Sequence, residues 1–571
     1  MNDKELPDIF DLDNIPKEEL DAAYIDYEPL YMAYKLKSHG EEILEKYQEK
    51  NQLNMATIIK QGECLQDEST MGLGLEMHYT LTDDGTLTIS GQGVLGTDVE
   101  TEEIEMTTPD GDEYGEDIEH RLSQFKGMDV RRVVIEEGVA GLSENSLSKL
   151  PMTEVILPDG LSLIDTAAFS GCENLVTVNI PGSVSTLGHA VFELCSSLRE
   201  IKIPEGITEL VSTFMGCTNL KKVTLPGTLE RIGSTTFASC SSLESIEMNS
   251  CLVEIGESAF RECQKLKRIV IPEGVTVIPF SAFEGCKSLE YISLPGSLQE
   301  IEPHAFSECS SLADIEVKSP LFYVQGGCLC SRDGVVIAGL NQEEIIIPDG
   351  ITEVAPGAFS YRDRIKDIRI PDTLDSYGIH SFEGTSVTKL VIPGRVKTVG
   401  FNAFKDCHSL RELVIPEGVE DISNSFDGCT SLQEVVVPKS VMNCPYAFHG
   451  CTSLTKVTFL PCSEDVEMGN AFASCTSLKD IVLSDGLKVI SCWAFDSCES
   501  LESIDIPDSV VRIENGAFSG CTALRHVRLS ENVEISGWHT FAGCPCEAEF
   551  VRPKPEYQPA KDDDGFDELP F

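Results

Sequence analysis

The sequence predicts an α/β repeat fold that is rich in strand: a curved, right-handed solenoid of about 17 coils of ~23 residues, preceded by an N-terminal helical segment and a β cap. Phenylalanine recurs at steps of 22–24 residues, in seven units from Phe169 to Phe306 and, after a gap of 53, in nine from Phe359 to Phe541. Each unit repeats one outline, roughly I-P-x-G-V-x-x-I-x-x-x-A-F-x-G-C-x-x-L-x-x-V-x-L-P. One such unit is too short to bury its own apolar side chains, so stacked neighbours must supply the core.

Within the unit, L-x-x-V-x-L alternates as a short strand does, as in Leu289, Ile292 and Leu294. The proline after it has no N–H to donate and ends the strand. Pro-x-Gly then turns the chain, because glycine reaches positive φ without a Cβ clash. A second apolar pair follows, such as Val275 and Ile278, and then A-F-x-G-C, which is expected to form one helical turn.

The pattern divides the chain into residues 1–60, a helical segment; 61–132, an acidic β-containing cap; 133–550, the solenoid with an insertion at about 318–345; and 551–571, an acidic disordered tail. Leu20, Tyr24, Tyr27, Tyr31 and Tyr34 fall on one helix face, which is expected to pack on the open end of the solenoid. Leu147 and Leu150 take the aromatic and cysteine positions of a degenerate first coil. Residues 98–119 hold eleven Asp or Glu and no cation, which reads as a solvated acidic loop. Asp110-x-Asp112-x-x-Gly115 begins like a calcium loop, but Tyr114 and Arg121 stand where further oxygen ligands are needed.

Fourteen of the 22 cysteines lie three residues after a column phenylalanine. Zinc needs ligands converging tetrahedrally, whereas an in-register ladder gives one thiol per coil and no histidine column accompanies it. Parallel Cβ vectors also fit the disulfide torsion poorly. A small hydrophobe filling a narrow inner column fits best, so Phe283, Cys286, Phe306 and Cys309 are expected as rungs of a structural core ladder. Off the column, Cys328 and Cys330 share one face of a predicted hairpin strand and are the pair that would cross-link or respond to oxidant. No nucleophile elbow, phosphate loop, dinucleotide fingerprint or His-Glu-x-x-His motif occurs, which points away from an enzyme and from any metal or cofactor.

The formal charge is −52, from 95 acids against 43 Lys and Arg. That argues against a nucleic-acid partner, which requires a basic footprint, and against anionic lipid. No apolar run reaches the length of a membrane span, and the acidic start MNDKELPDIFDL is unlike a signal peptide, so membrane insertion is not expected and a cytoplasmic location is.

The stretch IPEGVTVIPFSAFEGCKSLEYISLP, residues 271–295, resembles the BspA-type leucine-rich repeats of bacterial and protozoan surface proteins. YTLTDDGTLTISGQGVLG, residues 79–96, is similar to the β segment that often precedes those repeats, and GGCLCSRDGVVIAGL, residues 326–340, to the Asp-Gly hairpin that interrupts them. The resemblance implies a leucine-rich-repeat solenoid and, as one function, a secreted or cell-surface adhesin binding host or matrix proteins.

The residues themselves favour a non-enzymatic protein-interaction scaffold. In L-x-x-V-x-L the variable positions face the concave surface, and those read as contacts there number 14 basic and 12 acidic, near neutral in an acidic chain. Arg199, Lys202, Lys221, Lys222, Lys267, Arg268, Glu290 and Tyr291 are the expected partner-binding residues on that face. Only Tyr291 is aromatic among them, so a hydrophobic anchor is not expected there. A second candidate is an aromatic ridge two or three residues ahead of the column: Phe280, Phe401, Tyr446, Trp493 and Trp538.

Overall fold

The computed structural model describes residues 56–66, 76–107, 113–461, 466–530, 532–536 and 538–546, with the backbone alone for 99–107 and 113–122. The expected helix face at 20–34, the aspartates of the calcium-like motif and the tail lie outside the described residues. Among the described residues there is no helix, and none is long and apolar enough to cross a membrane.

The cap starts as an antiparallel sheet, β1 (Ile58–Glu63), β2 (Met77–Thr82) and β3 (Thr86–Gly91). It then changes mode: β3 pairs in parallel with Arg132–Ile135, and β4 (Gly93–Leu95) pairs in parallel with Val139–Leu142. The cap therefore ends as a coil whose two strands template all later ones. From there each L-x-x-V-x-L segment adds to one stack of parallel strands, as in Ile201↔Val223 and Ile292↔Ile315. The second apolar pair adds to another, as in Val277↔Glu300 and Ile278↔Ile301.

The third side of each coil is not the helical turn the sequence suggests. Around Phe169, alternate N–H groups run to the next coil: Ala167 to His189 O at 2.8 Å, Phe169 to Val191 O at 3.0 Å, and Gly171 to Glu193 O at 2.7 Å. The intervening N–H groups of Ala168, Ser170 and Cys172 close overlapping turns onto the carbonyls three residues back. This alternation needs left-handed backbone two residues before and two after each phenylalanine, with φ of 55° at Ala167 and 72° at Gly171. That is why glycine, serine, asparagine and histidine gather at those positions. A helix would direct its N–H groups along its own axis and leave the coil-to-coil ladder unmade.

The phenylalanines stack in parallel, with ring centroids of Phe283 and Phe306 5.8 Å apart and an interplanar angle of 4°. Phe283, Cys286, Phe306 and Cys309 are all buried. Each column thiol donates to the carbonyl of the preceding coil's column residue: Cys286 Sγ to Phe260 O at 3.2 Å, and Cys309 Sγ to Phe283 O at 3.1 Å. Burial pushes these thiols up, Cys172 and Cys309 to about 12. Every described cysteine is a free thiol, Cys328 and Cys330 included.

Two segments differ from expectation. The acidic residues 98–119 are not a loop: β5 (Asp98–Thr107) pairs antiparallel with β6 (Glu113–Leu122) over ten residue pairs. Val99, Thr101, Ile104, Thr107 and Ile118 give the pair enough β-branched residues to hold extended backbone despite its charge. Beyond the hairpin, QFKGMDVRRVVIEEGV supplies a full coil ahead of Leu147. Phe125 is buried 22 residues before Leu147, Met128 N–H bonds Phe125 O, and Gly127 takes a φ of 82°. The column thus begins at Phe125, with Met128 in the cysteine position.

At the insertion, Phe322–Gln325, Cys328–Ser331 and Val335–Gly339 form an antiparallel meander, whose last strand rejoins the short-strand stack at Val335↔Glu353. The meander occupies the place of one turn, so the phenylalanine stack breaks between Phe306 and Phe359. The residue three after Phe359 is Arg362, fully buried. Its Nη2 donates to Phe306 O, its Nε to Gly339 O and its Nη1 to Ser360 O, each at 3.0 Å. The guanidinium makes the contact a thiol makes elsewhere and spans the gap besides. Burial pushes its pKa down to about 10, and three carbonyl dipoles offset the lost hydration.

Arg362→Met should therefore lower unfolding stability by about 3 kcal/mol, since it removes three buried hydrogen bonds, those to Phe306 O, Gly339 O and Ser360 O; an unchanged urea midpoint would contradict this. Maleimide labelling of the native protein should reach exposed Cys251 and half-buried Cys492 well before any column thiol. Mass-mapped modification of Cys286 or Cys309 before denaturation would show that the ladder opens.

Candidate functional site

Three surfaces carry side chains that the core does not consume. The first is the outer face of the long-strand stack. Arg199, Lys202, Lys221, Lys222, Lys267, Arg268 and Glu290 are exposed there, and Tyr291 is half-buried. Parallel register brings Lys222 beside Glu200 and Lys202 beside Thr224, while Arg199 and Lys221 hold the same repeat position in neighbouring coils. Among the described residues, no carboxylate lies within ion-pair distance of Arg199, Lys202, Lys221, Lys222 or Lys267. Tyr291 belongs to a different arrangement. The Arg268 guanidinium lies 3.8 Å over the Tyr291 ring, while Tyr291 Oη and Ser293 Oγ donate to Glu316 at 2.8 and 2.7 Å. The hydrogen bonds from Ser293 and Tyr291 hold the Glu316 carboxyl below its usual range. That end of the strip is satisfied by its own neighbours.

The expectation that this face lacks an apolar anchor is corrected by its C-terminal half. The last variable position of L-x-x-V-x-L is Val391, Val414, Val436 and Val482 in nearby coils, each about half exposed. Register pairs Val391 with Val414, Val436 with Thr458, and Thr458 with Val482. The result is an aliphatic stripe along the stack. Charged side chains flank it, including the Lys389–Glu412 pair at 2.9 Å. The signal was present in the repeated V-x-L, at a position where earlier coils carry Lys202, Thr224 and Glu247.

The second surface is the edge beside the turns. Phe280, Phe401, Tyr446, Trp493 and Trp538 are all exposed, Trp538 the most, at 67%. From Phe401 onward they occupy every second coil, separated by coils carrying Asn424, Asn470 and Gly516. The Trp493 ring lies against Gly516, where a Cβ would collide with it. Phe280 and Phe401 instead meet histidines edge-on, His304 at 5.6 Å and His380 at 6.3 Å.

The third surface, not anticipated from the sequence, is a cleft of about 590 Å³ on the turn side where the insertion breaks the column. Phe280 and Tyr361 line it with His304, His380 and three carboxylates, Glu284, Glu308 and Glu383. Glu383 is engaged by His380 Nδ1 and by Tyr361 Oη at 3.1 Å, and Glu284 by Arg261 at 3.3 Å. His304 Nδ1 meets Ser307 Oγ at 3.1 Å, and burial pulls this imidazole below its ordinary value. Burial pushes Glu308 up; the Lys287 ammonium opposes this, and the carboxylates Glu262, Glu284 and Glu383 add to it. Among the described residues, no group of three or more His, Cys, Asp or Glu is placed to hold a metal ion.

The family described as BspA type leucine rich repeat region (6 copies) matches residues 121–241, 211–333, 337–454 and 444–554. A comparison with curated proteins finds no match. Among solved structures, a leucine-rich repeat protein from Bacteroides ovatus is similar at 28% identity, covering 65% of this chain and 85% of that one, with a TM-score of 0.40. A leucine-rich repeat protein from Eubacterium ventriosum is similar at 19% identity over 81% of this chain and 95% of that one, with a TM-score of 0.42. A leucine rich cell surface protein from Faecalibacterium prausnitzii is similar at 20% identity over 83% and 98%, with a TM-score of 0.33. With the family's repeats matched from residue 121 to residue 554 and its strand-turn coil present throughout, the chain belongs to the BspA-type leucine-rich repeat proteins.

Proposed function

We propose that the protein is a non-enzymatic scaffold that binds another protein through the outer face of its long strands, with the aromatic edge as a second contact. The observation that carries this reading is the exposed valine stripe, Val391, Val414, Val436 and Val482, in register and flanked by charged side chains. An apolar centre with a polar rim is the usual anatomy of a protein interface. The unpaired cations Lys221, Lys222 and Lys267 extend the same face and suit an acidic patch on the partner. A cytoplasmic location is part of this reading, with a secreted or cell-surface adhesin as its alternative.

Affinity capture with the full chain should recover a partner that is lost when Val414 and Val436 are both replaced by arginine. It should be weakened about tenfold by reversing Lys221, Lys222, Lys267 and Arg268 to glutamate. Retention of the partner at wild-type level by both variants would remove this face as the binding surface. Cell fractionation tests the compartment: protein accessible at the surface of intact cells would replace the cytoplasmic scaffold by the adhesin.

A further inference from the structure

The cleft at the break in the phenylalanine column has the composition of a site for one kind of group. Its formal balance is three carboxylates against the single cation Arg261, which is already paired with Glu284. The two imidazoles are already engaged, His304 with Ser307 and His380 with Glu383, and burial pulls His304 below its ordinary value. Glu308 stands apart from the other two acids. Among the described residues its carboxylate has no hydrogen bond or ion pair, although it is half-buried beside Glu284 and Glu383. An independent sign comes from Ser281, which also lines the cleft. It is 2% exposed, and its Oγ has no hydrogen-bond partner, which is uncommon for a buried hydroxyl. Exposed faces of Phe280 and Tyr361 complete the walls.

We infer that this cleft binds an alkyl-linked cation, the guanidinium or ammonium of an arginine or lysine side chain presented by a protein partner. The Glu308 carboxylate accepts the charge-assisted hydrogen bond, a turn of the Ser281 side chain brings its buried Oγ to a second N–H, and Phe280 and Tyr361 cover the cation and its methylene stem. A volume of about 590 Å³ is ample for such a side chain with part of its backbone. The inference rests on the protein-binding reading for the source of the cation, and it adds what the partner must present. The insertion contributes by bringing Tyr361 and Glu383 beside Glu308 at the cleft.

The test uses the full chain with methyl-labelled isoleucine, read at Ile379, which lines the cleft and is exposed; its resonance is assigned with Ile379→Val. Nα-acetyl-arginine amide and Nα-acetyl-lysine amide should shift the Ile379 methyl saturably, and the uncharged citrulline and norleucine counterparts should not. Glu308→Gln should weaken binding about tenfold and Phe280→Ala severalfold. Glu417→Gln, which removes one exposed charge elsewhere, should leave binding unchanged. Equal shifts from citrulline, or an arginine response untouched by Glu308→Gln, would overturn the assignment and mark general attraction to an acidic protein. Tighter, Glu308-dependent binding of spermidine would overturn the side-chain source in favour of a free polyamine. The two proposals fail separately. A cleft that ignores the arginine derivative while the protein still captures its partner sinks this inference alone. Arginine binding in a protein that captures nothing supports the cleft and sinks the scaffold.

Discussion

The fold depends on how one carbonyl per coil is satisfied. The oxygen of Phe169 accepts the N–H of Cys172 in its own turn and the S–H of Cys195 in the next coil, and the same pair of donors recurs along the stack. A carbonyl has two lone pairs, and one left without a donor in the core would carry a desolvation cost at every coil. Cysteine suits the second donor because it is small enough for a closed column and can still donate weakly. Serine would bring a stronger donor but a more polar group to bury. The phenylalanine, the cysteine and the left-handed positions beside them therefore form one device, in which the ring fills the core, the thiol ties the coils, and the backbone reversals aim alternate N–H groups at the neighbour.

The break at the insertion follows from the same constraint. With one turn replaced by the meander, Phe306 O loses the cysteine that would have served it, and a thiol on Phe359's coil does not also reach Gly339 O. Arginine has the length and the number of donors to serve both carbonyls and Ser360 O as well. Burying a guanidinium is costly, and it is tolerated here because three acceptors are fixed by the backbone of the two flanking coils and of the meander between them. The next position in the column is Thr385, whose hydroxyl meets Cys407 Sγ at 3.3 Å, so normal cysteine rungs resume two coils after the break. On the turn side, the coils of Phe306 and Phe359 meet closely enough that only glycine fits at position 357, against Ser307.

The period, the strand positions and the core columns were legible because they repeat, and repetition separates residues that face neighbours from those that do not. The turn was misread because A-F-x-G-C is as short as a helical turn; its left-handed residues show only in the Ser, Asn, His and Gly that alternate around Phe. Phe125 was hidden by methionine in the cysteine position and by the acidic hairpin ahead of it, although F-x-G-M keeps the outline. Arg362 is invisible to composition, since a lone arginine in a repeat reads as surface. The cleft could not be read at all, because Phe280, Glu308 and Tyr361 come from three coils, and residues 53 apart in sequence meet there only because the meander takes the place of one turn.

The same geometry that hides the columns exposes the variable positions, and this sets how binding specificity can be built. In-register stacking turns each variable position into a line of residues at about 4.8 Å spacing. A single type repeated along such a line gives a stripe, as the valines do, and a change of type between coils gives a patch, as Arg199 and Lys221 give way to Glu244. An exposed aliphatic stripe on a sheet invites association with other copies of the chain. The formal charge of −52 opposes that by repulsion between like molecules. A partner that carries opposite charge meets attraction where another copy meets repulsion. On the proposed function, the acidity would reserve the valine stripe for a partner unlike the protein itself, and on the inference drawn for the cleft it would favour a cation there.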